Sequence, residues 1–565
     1  RDWSSDVCSS DLEPSRREAL CCVRATVLVA TTLGEGLEPG EVLQRRVSFG
    51  EVSDRVHVLV LPDQLTDQVG PVRDALQDPS SAPPIIFIEA VDAQPAPRHV
   101  QALVQQRAAG REYVDGLRAR GLDVALHRAE TFEDGLERAR RESPFTRLTA
   151  MEPSGPQLAE RLRTWAARVG VELVLVPNEL WLTSRQEWDA FARGRKELRM
   201  EFWYRRVRTA RGWLMEPGTS DSPLGGVWNL DHENRRRLPK GARVPSVSPA
   251  VPTETATEAV AEVRAEAASH FGRLDSFGWP TNRSQALAAL EEFCAERLAA
   301  FGPFEDAMSR EHEHLYHSLL SSAINLGLLT PHEVVRRALE EFERRRDEIP
   351  LQSIEGFVRQ VLGWREFMHH AYDRFWQEWE SANGLNHTAS LPSFYWSGET
   401  KMACISRVVK KLISGGHAHH IERLMLLGNL ALLIGVRPQE VDAWFLEAFV
   451  DAHPWVVTPN VVAMSQFADL GKITSKPYIS GGAYVSRMGD DCGSCHYDPK
   501  LSVGERACPF TTLYWDFIDR HAERFSKNPR MARQVRSWES RKESIRTEIL
   551  EQAALVRARA KSGEL

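Results

Sequence analysis

Past residue 55, short apolar runs alternate with stretches long enough for helices. His57-Val-Leu-Val-Leu-Pro62, Ile85-Ile-Phe-Ile-Glu89, Val124-Ala-Leu-His127, Leu148-Thr-Ala-Met-Glu152 and Val171-Glu-Leu-Val-Leu-Val176 read as strands. Val100 to Gly121 and about Gln157–Gly170 read as helices between them. Unbroken apolar strands alternating with helices predict a Rossmann-like α/β domain, its parallel sheet covered on both faces. From about Thr281 the apolar spacing changes to threes and fours. Ser284–Phe301, His312–Leu329, Thr330–Arg345 and Ser353–Trp376 predict helices, and Arg533–Lys561 a charged helical tail. Ile421–Ile434 is apolar nearly all round, which predicts a central buried helix. Val244–Thr257, with Pro245, Pro249 and Pro252, reads as a linker. The expected organisation is an α/β domain over 53–185, a connector over 186–280 and an all-α domain over 281–565.

The first twelve residues read as a translated sequencing-adapter scar, and the stretch to Val52 carries no periodicity. Residues 1–52, with Cys8, Cys21 and Cys22, are therefore set aside as a non-native extension. Ala19–Ala30 mimics a signal-peptide core, but Arg24 interrupts it.

Composition narrows the class. With 565 residues, 42% hydrophobic and 26% charged, the chain can bury two or three sizeable cores. A net charge of −7 means that any nucleic-acid surface must be local. No run of about eighteen apolar residues occurs, so no membrane span is expected. A cytoplasmic monomer is the expectation. Eight cysteines in so long a chain do not make a secreted disulfide framework.

Four of them are spaced for metal chemistry. Cys404 follows the aromatic run Phe394-Tyr395-Trp396, and Cys492, Cys495 and Cys508 read C-x2-C-x12-C. A tight C-x2-C turn can place two thiolates on one ion; zinc, an iron–sulfur cluster and no metal all remain open on spacing. Cys294 reads as a small buried hydrophobe. His419 and His420 open the apolar helix, as core histidines held by hydrogen bonds or as proton donors. His317, Ser318 and Ser321 are candidate phosphate neighbours or ordinary caps. Arg359 and Arg365 lie on an otherwise apolar helix and need an anion, either Glu366 or a cofactor pyrophosphate. Asp451, Trp455 and Asn460 follow the central helix and meet the same pocket in this reading. Between Phe191 and Trp213, eight basic residues interleave with Phe202, Trp203, Tyr204 and Trp213. That segment is either a surface tracking phosphates and bases or a solvated helix packed between domains.

Together these pieces resemble the iron–sulfur bacterial cryptochromes and photolyases, the prokaryotic (6-4) photolyase group, over about residues 56–555. The strings that carry the resemblance are Met200-Glu-Phe-Trp-Tyr-Arg205, Trp228-Asn-Leu-Asp-His-Glu-Asn234, Glu355-Gly-Phe-Val-Arg-Gln360, Gly363-Trp-Arg-Glu366, Ala418-His-His-Ile-Glu-Arg-Leu424 and Met464-Ser-Gln-Phe-Ala-Asp469. The resemblance implies FAD folded into the all-α domain beside His317, Ser318, Leu319, Ser321, Arg359, Arg365, Asp451 and Asn460. It implies a [4Fe–4S] cluster on Cys404, Cys492, Cys495 and Cys508. It places His419, His420, Asp231 and Tyr478 at a DNA lesion, with His420 as proton donor, and makes Trp396, Trp444 and Tyr484 electron-transfer aromatics. Light-driven repair of (6-4) photoproducts in UV-damaged DNA follows as the expected function. A blue-light photoreceptor on the same scaffold and a zinc-stabilised nucleic-acid-binding protein are the alternatives. The family's second chromophore, 6,7-dimethyl-8-ribityllumazine, would lie near Asp63-Gln64-Leu65 and Glu89. Ala90–His99 departs from the expected contacts, and the following Val100–Arg107 is not aromatic-rich, so antenna binding is left open.

Overall fold

In a computed structural model, which describes residues 55–91, 97–219, 221–266 and 270–565, five strands form one parallel sheet. They are β1 (Val56–Val60), β2 (Ile85–Ala90), β3 (Val124–Ala129), β4 (Arg147–Met151) and β5 (Glu172–Val176), in the order β3-β2-β1-β4-β5. The extension 1–52, and part of the segment following Glu89, lie outside the described residues. The period of two divides the strand side chains between two cores. Val58, Val60, Ile85, Phe87 and Val124 share one with the helix Val100–Ala119. Leu59, Leu61, Ile86, Ile88 and Leu148 share the other with the helices Phe132–Glu142 and Pro156–Val169. Both faces are thus buried, as unbroken apolar strands require.

The first of these cores does not stop at the sheet. It runs through Trp188, Trp203 and Tyr204 into the helices Pro331–Arg344 and Leu351–Val358. A second large core joins Phe394–Leu412, the segment from Ala418 to Phe449, and the C-terminal helices Pro509–Arg520 and Glu543–Ser562. The α/β and all-α parts of the expected fold are both present. No described helix is long and apolar enough to cross a membrane.

Gly110 shows how closely the helix Val100–Ala119 approaches the sheet. A Cβ built there would lie 2.6 Å from Phe87 Cζ. Gly110→Ala is expected to cost about 1–3 kcal/mol through overpacking, despite alanine's better helix propensity. A lowered urea midpoint would show it; an unchanged midpoint would mean that the Phe87 ring can yield.

Four expectations need correction. His312–Leu329 is not a helix. Leu315 and Leu319 take positive φ values of 47° and 57°, and only Ser321–Asn325 is helical. The leucine spacing read as a helix belongs to a folded loop that buries Leu315 and Leu320 separately. The central helix begins as a wide π turn, Glu422–Gly428, before Asn429–Ile434. The basic–aromatic segment Phe191–Trp213 is not one helix: it takes in the end of Arg185–Ala192, a turn, and the helix Met200–Arg211. Trp203, Tyr204 and Arg208 are fully buried. Arg208 donates to the carbonyls of Trp213, Trp228 and Leu214, so it is structural. Arg193, Arg195, Lys196, Phe202 and Arg206 remain exposed.

The proline-rich linker ends before the expected Thr257: the helix Glu254–Glu266 takes up its last residues and returns to pack on Val100–Ala119. Arg111 fastens it, bridging Glu89 (2.7 and 2.8 Å) and Glu262 (2.6 and 3.0 Å). The carboxylate of Glu89, a candidate antenna contact, is engaged by this clamp.

Candidate active site

Four segments remote in sequence meet around His420. The turn Asp231–Glu233 brings Asp231, the loop after Phe301 brings Glu305, Asp306 and His317, and the helix ending at Val358 leads into Arg359. The fourth segment is His419–His420 at the mouth of the π turn. His420 Nε2 lies 3.3 Å from Asp306 Oδ1. Arg359 meets Glu355 (3.2 Å), Asp231 (3.4 Å) and Glu305 (3.8 Å), and Arg235 pairs with Asp231. The His317 and His419 rings stack at 4.6 Å, and His420 stands edge-on to His317 at 5.7 Å.

The three histidines are electrostatically unequal. Burial pushes His317 and His419 well below the ordinary histidine value, and neighbouring cationic groups add to the effect. Burial opposes charge on His420 too, but its hydrogen bond to Asp306 and the carboxylates of Glu305, Asp306 and Asp231 outweigh it and raise its pKa. The His420 side chain keeps 44% of its surface accessible, yet protein crowds it enough for burial to be the largest influence on its titration. His420 is thus the solvent-facing wall of a recess whose deeper members are the buried His317 and His419. The site therefore sets one imidazole biased towards its charged form beside two biased towards the neutral one.

The ligand atoms of His317, His419 and His420 come within 4.8 Å of one another. A metal reading fails on two counts. The near-parallel His317 and His419 rings (12°) aim their lone pairs alongside each other rather than at one point, and Asp306 favours a proton on His420.

The expected cofactor residues fall into two groups. Ser321 donates to Asp451 Oδ2 (2.7 Å), which Arg423 also grips with two bonds of 2.9 and 3.0 Å. His453 and Trp455 continue from Asp451 to Arg365, whose guanidinium lies 3.9 Å over the Trp181 ring and 5.4 Å from that of Trp455. His369 also stacks on Trp181, at 3.5 Å. Asn460 follows one turn later and donates to the Val456 carbonyl (2.7 Å). Leu319 turns the loop beside Trp279, and Ser318 caps Leu320. Arg359 is separate from this strip: its anions are carboxylates on the His420 side.

Several polar atoms in both groups are buried without a hydrogen-bond partner in the protein: His317 Nε2, Arg359 Nη2, Arg365 Nε and both ring nitrogens of His419. Such atoms are costly unless a ligand meets them. This lining suits a large polar and aromatic cofactor.

The electron-transfer candidates divide as well. Trp396 is 41% exposed and touches Phe271 at 5.8 Å; Phe271 lies 6.4 Å from the fully buried Trp444. Trp444 donates to the Tyr395 carbonyl (3.1 Å) and packs on Phe449, over which Arg423 is stacked. An aromatic column thus runs from the surface to the Arg423–Asp451 pair. Tyr484 stands elsewhere, under Arg487 and in the field of Asp306 and Arg235. Tyr478 packs, half-buried, against both large cores.

The four cysteines gather at one place and form no disulfide. Burial raises Cys492 to about 11 and Cys508 to about 12, and the neighbouring thiols push the same way. A cationic centre would reverse that repulsion, which is the environment a thiolate-bound metal group needs.

Glu305, Asp306, Arg407, Lys411, Glu422 and Arg423 were not singled out from the sequence. Only Glu422 and Arg423 carried a signal, charges placed at the head of an otherwise apolar run.

Comparison with known proteins agrees with this geometry. The family model described as deoxyribodipyrimidine photo-lyase-related protein matches residues 58–279. The (6-4) photolyase of Agrobacterium fabrum is 36% identical over 506 residues, covering 88% of this chain and 98% of that protein. A bacterial class III photolyase from Agrobacterium tumefaciens has a similar fold, with a TM-score of 0.56 at 16% identity, over 92% of this chain and 98% of that one. A Synechocystis cryptochrome gives a TM-score of 0.56 at 12% identity, over 89% and 98%. The sheet, the helical region and the level of identity together mean that the chain belongs to the family of the iron–sulfur bacterial cryptochromes and photolyases.

Proposed function

We propose that this protein repairs pyrimidine (6-4) pyrimidone photoproducts in DNA under blue light. The observation that carries the reading is His420: an imidazole biased towards its protonated form in an accessible recess, beside the neutral rings of His317 and His419. Bound FAD, reduced and excited, would supply the electron that opens the lesion. Ser321, Asp451, Asn460 and Arg365 would hold that cofactor, and the Trp396–Phe271–Trp444 column would connect it to solvent.

The chain's own task is then to present a proton. Asp306 takes the hydrogen bond of Nε2, which leaves Nδ1–H of the charged ring as the donor for a flipped base. His419 stays neutral and contributes shape and hydrogen bonding. Arg236, Arg237, Lys240 and Arg243 are exposed on the loop following Asp231, a local basic rim suited to phosphates in a chain that is acidic overall. For the cysteines, a single tetrahedral zinc with bonds of about 2.3 Å needs sulfurs about 3.8 Å apart. Four such ligands also suit a [4Fe–4S] cluster, and membership of the iron–sulfur family favours the cluster over zinc. The engaged Glu89 does not favour the lumazine antenna.

Reduced protein should restore intact pyrimidines in a (6-4)-damaged oligonucleotide when illuminated, and not in the dark. Absence of repair would leave the photoreceptor reading, which the same aromatic column supports. Purified protein should carry flavin absorption near about 450 nm and iron in place of zinc; a colourless zinc protein would remove both readings.

A further inference from the structure

The residues immediately before Cys492 lead into two sets of contacts with the histidine recess, which Lys411 bridges. Asp491 accepts two bonds from Arg407, at 2.8 and 2.9 Å, and Arg407 donates onward to Glu422 Oε1 at 2.6 Å. Glu422 Oε2 receives Lys411 Nζ (2.6 Å) and the backbone N–H of His419 (3.4 Å), and lies 3.7 Å from His419 Nε2. Glu422 is 1% exposed and Asp491 3%, so these bonds operate where water cannot replace them. Arg407 also sits one helical turn beyond Cys404 on the helix Ala403–Gly415, so two cysteine-bearing segments meet at this pair.

The second set runs to the other wall. Asp490 Oδ1 accepts from the backbone N–H of Arg310 (2.9 Å), and the Met488 carbonyl accepts from that of Met308 (3.0 Å). Lys411 Nζ also donates to the Glu313 carbonyl (2.7 Å). These bonds hold the loop that carries Glu305, Asp306 and His317. One stretch, Met488–Asp491, therefore ties both His419 and the acidic partner of His420 to the cysteine loop.

We infer that Asp490, Asp491, Arg407 and Glu422 are positioning residues that make the placement of the histidine recess depend on an occupied four-cysteine site. On this account the metal group acts at a distance. By closing the loop at Cys492 and Cys495, it fixes Met488–Asp491 and with it both walls of the recess. The link to lesion binding rests on the function proposed above; the mechanical link does not.

Hydrogen–deuterium exchange tests the mechanical link. Removing the metal with a chelator should raise exchange in peptides covering 302–320 and 416–422, and leave the strand Val56–Val60 unchanged. In metal-loaded protein, Arg407→Gln should loosen 416–422 more than 302–320, and Asp490→Ala 302–320 more than 416–422, Lys411 carrying the smaller cross-effect. Equal loosening of both segments by either variant, or no change in either on metal removal, would overturn the inference. If stripping unfolds the whole chain, the two metal-loaded variants decide it. In the dark, each variant should bind a (6-4)-damaged oligonucleotide at least about fivefold more weakly, the low end of typical coupling, with binding of undamaged DNA unaltered. A parent protein that does not distinguish the two oligonucleotides would count against the repair function, and the exchange pattern would still judge the relay.

Discussion

His420→Ala is expected to lower light-driven repair by about 10²–10⁴-fold, the usual worth of a positioned proton donor, while flavin stays bound. His419 cannot take over, because burial beside His317 and Lys411 keeps it neutral. The same geometry sets a pH dependence. The folded pKa of His420 lies above its ordinary 6.5, so the charged donor is present below that raised value and repair declines as pH rises through it. The stabilising contact with Asp306 follows the same window: it is complete below the unfolded value and lost above the folded one. Asp306→Asn removes one carboxylate charge while leaving an amide oxygen that can still accept from Nε2, and should move the decline to lower pH. Repair rates of the parent, H420A and D306N across neutral and mildly alkaline pH check both statements. Undiminished repair by H420A would take His420 out of the chemistry.

The second large effect is on stability. Arg359 is 3% exposed and faces Glu355, Asp231 and Glu305. Arg359→Met should destabilise the protein by about 3–5 kcal/mol, because it leaves buried carboxylates without their cation. Burial alone would raise Asp231; the positive charges of Arg359 and Arg235 overturn this and hold it low. The stability Asp231 contributes is thus present above its unfolded pKa of 3.8 and lost as pH falls through the lower folded value. Without Arg359 that contribution shrinks, so the gap between parent and variant should narrow on acidification. Urea titrations at neutral and acid pH measure this. Flavin occupancy provides the contrast: it should follow Arg365 and Ser321 substitutions more than R359M. A variant of normal stability that has lost its flavin would return Arg359 to the cofactor.

The readable parts of the sequence were those governed by short-range rules. Strands buried on both faces leave unbroken apolar runs, and Val58–Val60 and Ile85–Ile88 could hardly be anything else. The cysteine spacing was readable because a tight turn must bring Cys492 and Cys495 together. The loop 302–320 misled because Leu315, Leu319 and Leu320 mimic helical spacing, whereas positive φ at two of them depends on tertiary burial. Glu305, Asp306, Arg407 and Lys411 were silent for a different reason. A charge in an ordinary-looking segment reveals nothing until its partner, often more than fifty positions away, is known. Arg359 illustrates the limit: its need for an anion was evident, but only the structure identifies three carboxylates.

Three of the four π-helical segments among the described residues carry site residues: Arg359–Arg365, Glu422–Gly428 with His420 just before it, and Pro459–Ser465 with Asn460. A π turn is an α-helix holding one surplus residue. Deleting a residue there would regularise the hydrogen bonds and give a smoother helix. It would also remove the bulge in which Arg365 and Asn460 sit, and with it the directions that place them on the strip they share with Trp455 and Asp451. These helices are thus poor subjects for stabilisation by regularisation, and insertions or deletions within 359–365, 422–428 or 459–465 should be far less tolerated than substitutions.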